Sequence, residues 1–301
     1  MPAAQPDRLP KLERFLSPPR HNPTALRLIL AAQLRRLRRR AGLTPKEASA
    51  RLGCSASKIS RLERGEVPLR ERDVADLLYL YGVEAEDIDE YRGLVRQSNE
   101  SGWWQQFEDV LPKWFDKFIG LQEAASIIRT YEVLLVPGLL QTPEYALAVA
   151  QGGDQLADQQ VIERRVGLRL ARQELLDYPD PPKVWAVLEE AVLHRRVADR
   201  AVMRGQLQHL AEAAERPHVQ LQIIPFDAPG GVTSGSPITH LRFEPPSLPE
   251  IVYLEHGQGA LYLDKTRETE RYRSILDGLL NAAECPEASL KRIHGAITRY
   301  C

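Results

Sequence analysis

The sequence predicts an α+β protein, in which an all-α N-terminal domain built around a helix-turn-helix precedes a mixed α+β C-terminal domain with an antiparallel sheet. Three observations lead to this prediction. Apolar residues recur at helical spacing as far as Gly82, with capping residues between the periodic stretches. Beyond Gly102, alternating runs typical of strands are separated by helical stretches. Charge is also distributed unevenly along the chain. Residues 24–72 hold 13 Lys and Arg against 4 Glu, whereas the rest of the chain holds 27 basic and 37 acidic residues.

These patterns divide the 301 residues into four parts. Residues 1–23 are rich in proline and are expected to form a flexible arm. Residues 24–82 form the predicted helix-turn-helix domain, and residues 83–102 are interpreted as a helical connector. Residues 103–301 form the α+β domain.

The N-terminal helices are predicted from their apolar faces and their caps. The first carries leucines at spacings of four and three and ends at Gly42. The second begins at Thr44, which forms the T-x-x-E pattern of a capping box with Glu47, and Ser55 caps the third. Two further helices are predicted over about 72–81 and 88–101.

The C-terminal elements follow from alternating and helical periodicity. Strands are predicted over residues 128–134, 184–188, 219–224, 238–243, 251–254 and 260–263. Helices are predicted over residues 143–150, 158–176, 200–215, 266–283 and 286–298. Short Gly/Pro turns join the last three strands, which favours an antiparallel meander. Six aromatic residues between 103 and 118 indicate a core or an interface, either a dimer surface or a seam between domains.

Composition excludes several classes of protein. No apolar run approaches the roughly 20 residues that span a bilayer, and the N-terminus lacks the apolar core of a secretory signal. The three cysteines are widely spaced and match no zinc pattern, which favours a reducing compartment. We therefore expect a cytoplasmic, nucleoid-associated protein with no membrane partner.

The stretch from Gly42 to Gly65 carries the most information about function. Two short helices joined by a tight, glycine-containing turn present the second helix outward, where it fits the major groove of DNA. Its outward positions are small or polar, as expected of a surface that meets an anionic partner. The alternative is a helical hairpin that serves structure or protein contacts.

This stretch resembles the Cro/repressor-type (XRE) helix-turn-helix family, through the pattern G-L-T-x-x-E-x-A-x-x-L-G-x-S-x-S-x-I-S-R-L-E-R-G. The resemblance implies that Ala56, Ser57 and Arg61 read bases. It implies a structural ion pair between Arg38 and Glu63. The residues expected at phosphates are Thr44, Lys46, Ser55, Lys58, Ser60 and Arg64. The family often carries Gln where this chain has Pro45, which puts the backbone contact of the second helix in doubt.

The C-terminal domain resembles the antitoxin-like domain of unknown function found in many actinobacterial XRE regulators. The segments that carry this resemblance are 123–125, 128–132, 136–145, 169–173, 189–195, 206–210 and 252–255. Such regulators are frequently encoded beside a small protein, so the resemblance implies a small partner protein. It implies no established ligand.

An enzyme fused to a DNA-binding domain is the third hypothesis. Glu190 and His194 have metal-ligand spacing on a helix, but no second histidine or cysteine accompanies them, so a structural histidine is favoured. The strand-end pair Glu255-His256 is a weak signal. Residues 136–143 are interpreted as a rigid connector rather than the rim of a pocket. We expect no catalytic residue, no metal and no cofactor.

The sequence thus predicts a transcriptional regulator that binds double-stranded DNA as a homodimer. Helix 55–64 would read the operator, and a small-molecule effector or a partner protein would act through the C-terminal domain. The alternative is an antitoxin-like protein that binds a small partner through this domain, with autoregulatory DNA binding.

Overall fold

The computed structural model describes residues 22–228, 234–244, 248–257 and 259–300. The chain forms two compact units with a boundary after Gln105. Of the described residues, the N-terminal unit holds 22–105 together with 243, 244 and 248, and the C-terminal unit holds the remainder. Most of the predicted arm, residues 1–21, lies outside the described residues.

The N-terminal unit is all-helical, as predicted. Its first helix begins at the end of the predicted arm, where Asn22 caps it by accepting a hydrogen bond from the Ala25 amide at 2.9 Å and Pro23 occupies the first helical position. Gly42, with φ 69°, follows its end. The helices are α1 (Pro23–Arg40), α2 (Pro45–Arg51), α3 (Ala56–Leu62), α4 (Glu71–Leu80) and α5 (Ala85–Ser98).

Helix α5 differs from its predicted role as a connector. Ile88, Tyr91, Leu94 and Val95 are buried on one of its faces, and the helix packs against α1 and α4 within the N-terminal unit. The predicted module ended at Gly82 because a glycine there follows a helix. Its φ of 79° makes it the C-terminal cap of α4, after which the chain turns into another helix of the same unit.

The C-terminal unit is α+β. Its six strands are β1 (Ile127–Glu132), β2 (Lys183–Glu189), β3 (Val219–Ile224), β4 (Ile238–Arg242), β5 (Ile251–His256) and β6 (Gly259–Leu263). Its helices are α6 (Lys113–Ala124), α7 (Pro143–Gly153), α8 (Gln159–Gln173), α9 (Ala191–His194), α10 (Arg200–Ala214), α11 (Thr266–Ala282) and α12 (Pro286–Thr298).

The six strands form one mixed sheet in the order β3-β2-β1-β4-β5-β6. The predicted meander of the last three strands is confirmed, since β4, β5 and β6 pair antiparallel in sequence order. The prediction of an antiparallel sheet is incomplete, because β1, β2 and β3 run parallel. Helices α7 and α8 connect β1 to β2, and α9 and α10 connect β2 to β3, as parallel neighbours require.

Alternation along the central strand β1 gives the two faces of the sheet different characters. One face carries Tyr131 together with Val187, Ile238 and Val252. These side chains pack against Leu276 and Leu279 of α11. Thr130 and Glu132, the neighbours of Tyr131, point to the opposite face. One face therefore forms an apolar core, and the other brings polar side chains beneath α6 and α8.

None of the helices in the described ranges is long and apolar enough to cross a membrane.

The glycine that follows α3 provides a test of local packing. Gly65 has φ 65°, and a Cβ added there would lie 2.9 Å from Leu28 Cδ2. Gly53 has φ 62° with nothing within 4 Å of the added Cβ. We expect Gly53→Ala to lower the free energy of unfolding by about 1–2 kcal/mol through backbone strain alone. Gly65→Ala should cost more, because Leu28 must also move.

Hydrogen exchange of α1 amides in the full chain measures both costs. Equal costs for the two variants would show that Leu28 rotates away freely and that the contact contributes nothing.

Candidate nucleic-acid interface

A buried ion pair fixes the third helix of the N-terminal unit against the first. Arg38 Nε and Nη2 donate to the two carboxylate oxygens of Glu63 at 2.7 and 2.9 Å, and the two side chains are 8% and 4% exposed. Arg38 Nη1 donates to the Leu43 carbonyl at 2.6 Å, and the Tyr81 hydroxyl donates to Glu63 at 3.3 Å. The hydrogen bonds that Arg38 donates to Glu63 raise the pKa of Arg38. Arg38 and Glu63, the two residues expected to pair, are thus in direct contact. Through Leu43 and Tyr81, the same hydrogen bonds connect α1 and the C-terminal end of α3 with the α1–α2 turn and with the C-terminal end of α4.

The two short helices of the motif begin at side-chain caps. Thr44 and Glu47 form a reciprocal capping box, in which the Glu47 amide donates to Thr44 Oγ1 at 3.2 Å and the Thr44 amide donates to Glu47 Oε2 at 2.7 Å. Hydrogen bonds from the Thr44 backbone and side chain lower the pKa of Glu47. Ser55 caps α3 by accepting from the Lys58 amide at 3.1 Å. These caps stabilise helices of seven residues each, which are too short to form alone.

The outward face of α3 carries the residues expected to read bases. Ile59 and Leu62 are buried, which turns the opposite side of the helix to solvent. Ser57 and Arg61 are exposed one turn apart, and Ala56 is half-buried at the start of the helix. Within the described part of the chain, no carboxylate pairs with the Arg61 guanidinium. Arg61 is therefore available to donate to an external acceptor.

Two of the basic residues expected at phosphates are already paired with carboxylates. Lys58 Nζ lies 2.7 Å from Asp73 on α4. Arg64 donates to both carboxylate oxygens of Glu66, at 2.5 and 2.9 Å. In contrast, Lys46 is exposed and forms no ion pair with the described residues. These carboxylates compete with phosphates for the same cations, and the sequence pattern gave no indication of either pair.

The three hydroxyl groups expected at phosphates differ in whether the hydroxyl hydrogen is already used in a hydrogen bond. Thr44 Oγ1 accepts from the Glu47 amide and donates to Glu47 Oε2 at 2.7 Å, so the capping box uses its hydrogen. Ser55 only accepts, which leaves its hydroxyl hydrogen for an external acceptor. Ser60 is half-buried on α3. The structure thus favours Ser55 over Thr44 as a donor to phosphate.

Basic charge is concentrated in the part of this unit that contains α2 and α3. Residues 24–72 hold 13 Lys and Arg against 4 Glu, whereas residues 73–105 hold 2 Arg against 8 Asp and Glu. An anionic duplex is therefore attracted to the first part and repelled by the second.

The candidate metal pair of the C-terminal unit belongs to a hydrogen-bond network. His194 Nε2 lies 3.2 Å from Glu190, which also accepts from Arg292 at 3.0 Å and from the Phe226 amide at 2.9 Å. Burial alone would raise the pKa of Glu190, but these hydrogen bonds outweigh it and lower the pKa. Glu255 and His256 are exposed at the end of β5. The described residues contain no group of three side chains suited to hold a metal ion.

Comparison with known proteins identifies two domains. A family model described as a helix-turn-helix domain matches residues 29–91. A model described as a domain of unknown function, DUF5753, matches residues 115–295. No curated protein and no solved structure matches the chain. The first match extends through the first half of α5, in agreement with the placement of that helix in the N-terminal unit.

The buried ion pair predicts a large effect of removing one partner. Glu63→Gln leaves the Arg38 guanidinium buried without a counter-charge, and we expect it to lower the free energy of unfolding of the N-terminal unit by about 3–5 kcal/mol. The double variant Arg38→Met/Glu63→Leu removes both charges and should recover most of that loss. Hydrogen exchange of α1 amides measures both variants. A Glu63→Gln protein as stable as the parent would contradict a stabilising role for the pair.

The Lys58–Asp73 pair predicts a gain of DNA affinity. Asp73→Asn frees Lys58, so we expect affinity for any duplex to rise roughly fivefold, the equivalent of about 1 kcal/mol. Asp76→Asn is the matched control, since it removes the same charge from an exposed α4 residue that forms no ion pair with the described residues. Fluorescence anisotropy with a random-sequence duplex measures both. An equal gain in the two variants would attribute the effect to net charge instead of to Lys58.

Proposed function

The chain belongs to the DUF5753 family, and from the helix-turn-helix that precedes this domain we propose that it is a sequence-specific DNA-binding transcriptional regulator. The observation that carries the proposal is the outward face of α3. Ser57 and Arg61 are exposed there on a helix held rigidly by the Arg38–Glu63 pair, within a strongly basic segment. A helix of this size and polarity fits the major groove.

The proposed contacts divide into those that read bases and those that position the protein. Arg61 donates in bidentate fashion to guanine O6 and N7, Ser57 bonds a base edge, and the methyl group of Ala56 contacts a thymine methyl. The positioning contacts to phosphates are proposed for Lys46, Ser55, Lys58, Ser60 and Arg64, with Thr44 at the start of α2.

The protein is proposed to bind as a homodimer in the cytoplasm, at the nucleoid. Two copies of α3 would then meet two half-sites whose centres lie about one helical turn, roughly 34 Å, apart. In this proposal the C-terminal unit is regulatory and not catalytic. This assignment is supported by the Glu190–His194 pair, the metal candidate of the sequence, because Glu190 already accepts hydrogen bonds from Arg292 and from a backbone amide.

Selection of the full chain against a pool of random duplexes tests the proposal. We expect an inverted repeat with half-sites one helical turn apart, which would give both the operator and the dimer. Recovery of random sequences in proportion to their abundance would overturn sequence-specific reading. Recovery of one unrepeated half-site would retain the reading and overturn the dimer. Co-purification of the protein with the product of an adjacent short reading frame would instead favour the antitoxin-like alternative.

The division of contacts predicts different effects for two arginines, Arg61 on α3 and Arg64 just after it. Arg61→Ala should weaken operator binding by about 1–3 kcal/mol and relax the choice at one base pair. Arg64→Ala should weaken all duplexes about equally and lower the salt slope by about one. Binding isotherms on the operator, on single-base variants and on unrelated duplexes separate these outcomes. A uniform loss for Arg61→Ala would make Arg61 a phosphate contact.

A further inference from the structure

The C-terminal unit contains a cavity of about 240 Å³ on the polar face of its sheet. Thr130 and Glu132 of β1 form part of its floor, and α6, α8 and residues 135–141 surround it. The sequence favoured a rigid connector for residues 136–143, but residues 136–141 line this cavity, so the alternative of a pocket rim describes them better. The volume lies just below the range of roughly 300–1,000 Å³ that is usual for small-molecule sites.

Two arginines on one face of α8, Arg169 and Arg172, line this cavity. Arg169 Nη1 donates to Gln141 Oε1 at 2.7 Å, and Arg172 Nη2 donates to Gln122 Oε1 at 2.8 Å. Among the described residues, no carboxylate lies within the 4.0 Å of an ion pair from either guanidinium. Amide oxygens satisfy hydrogen bonds but leave the positive charge in place, which is costly in a partly buried site.

Aromatic rings pack against one of these guanidinium groups. Arg172 lies 4.7 Å from the ring centroid of Phe115 and 5.5 Å from that of Phe118. Phe118 stacks on Tyr253 with 4.0 Å between centroids. Burial, and then repulsion from Arg169, lower the pKa of Arg172 to about 10, at which the group is still charged at neutral pH. A planar, oriented guanidinium is suited to a carboxylate.

The opposite side of the cavity carries two carboxyl groups in different environments. Glu132 accepts from the Thr130 hydroxyl at 3.3 Å, and burial raises its pKa to about 8. Glu255 is exposed and accepts from the Tyr253 hydroxyl at 2.9 Å. At neutral pH the cavity therefore combines two guanidinium charges, one carboxylate and one neutral carboxyl group that can donate a hydrogen bond. The excess of one positive charge matches a monoanion.

From this arrangement we infer that the cavity binds a small organic acid with a single carboxylate. The carboxylate lies against Arg169 and Arg172, and the apolar body lies along Val136 and Leu139. The binding site goes beyond the proposed function and stands on the C-terminal unit alone. Its action as an effector of DNA binding rests on that function.

Calorimetric titration of the full chain with benzoate, phenylacetate and hexanoate tests the site. We expect at least one of these acids to bind with a Kd below about 1 mM and its amide to bind at least roughly tenfold more weakly. Arg169→Gln should weaken that acid roughly tenfold or more, because it removes one of the two positive charges. The matched control is Arg165→Gln on the same helix, since Arg165 pairs with Asp154 at 3.0 Å and does not line the cavity.

The pH dependence gives a second measurement that a merely structural role of Arg169 would not produce. Glu132 ionises as the pH rises through about 8, and its charge then repels the bound carboxylate. Glu255, Arg169, Arg172 and Tyr253 face the same space, and burial raises the pKa of Tyr253 well above this interval. We expect affinity to fall between roughly pH 7 and pH 9 in the parent protein and to stay constant in Glu132→Gln.

Three outcomes would overturn the inference. The first is that none of the acids binds more tightly than about 10 mM. The second is that Arg169→Gln binds as the parent does, and the third is that inorganic phosphate competes as well as the best acid, which would make this a site for simple anions. If an acid binds as expected but leaves operator affinity unchanged, the site stands and only the effector role fails.

Discussion

The outward face of α3, which is proposed to read bases, depends on one buried ion pair. Helix α3 has seven residues, too few to be stable alone, and only Ile59 and Leu62 anchor its apolar side. The Arg38–Glu63 pair adds a directional constraint, because a bidentate guanidinium–carboxylate contact has one geometry. Since Arg38 also bonds the Leu43 carbonyl, the same side chain sets the turn before α2. The pair therefore determines which way the exposed side of α3 faces, and the base-reading proposal follows from that orientation.

Carboxylates placed among the basic residues give the N-terminal unit an internal competitor for DNA phosphates. Lys58 bonds Asp73 and Arg64 bonds Glu66, whereas Arg61 has no such partner among the described residues. A cation that must leave an internal carboxylate gains less from a phosphate than a free one does. The proposed phosphate contacts, which are independent of base sequence, are thus weakened relative to the contact proposed to read guanine. A regulator that searches a large excess of competing sites gains selectivity from this imbalance.

The parts of the structure that the residue pattern itself predicted are those encoded locally, whereas the Arg38–Glu63 pair, 25 residues apart, was expected only from the family resemblance. The caps at Thr44 and Ser55, the helices of the motif and the late antiparallel strands depend on residues a few positions apart. What it missed depends on distant partners. The role of α5 required knowledge of its packing on α1 and α4, and the parallel half of the sheet required the pairing of β1 with β2 across two helices. The pairing of Lys58 with Asp73 and the convergence of Arg172 with Glu132 on one cavity have no signal in spacing.

The position of β1 in the middle of the sheet has a consequence for the order in which the two units form. This strand pairs with residues 183–188 on one side and with residues 238–242 on the other, so its neighbours are synthesised long after it. Closing such distant contacts is slow, whereas helices joined by short turns assemble quickly. We therefore expect the N-terminal unit to fold while the ribosome is still translating the sheet. A nascent chain would then present a complete helix-turn-helix before its C-terminal unit exists.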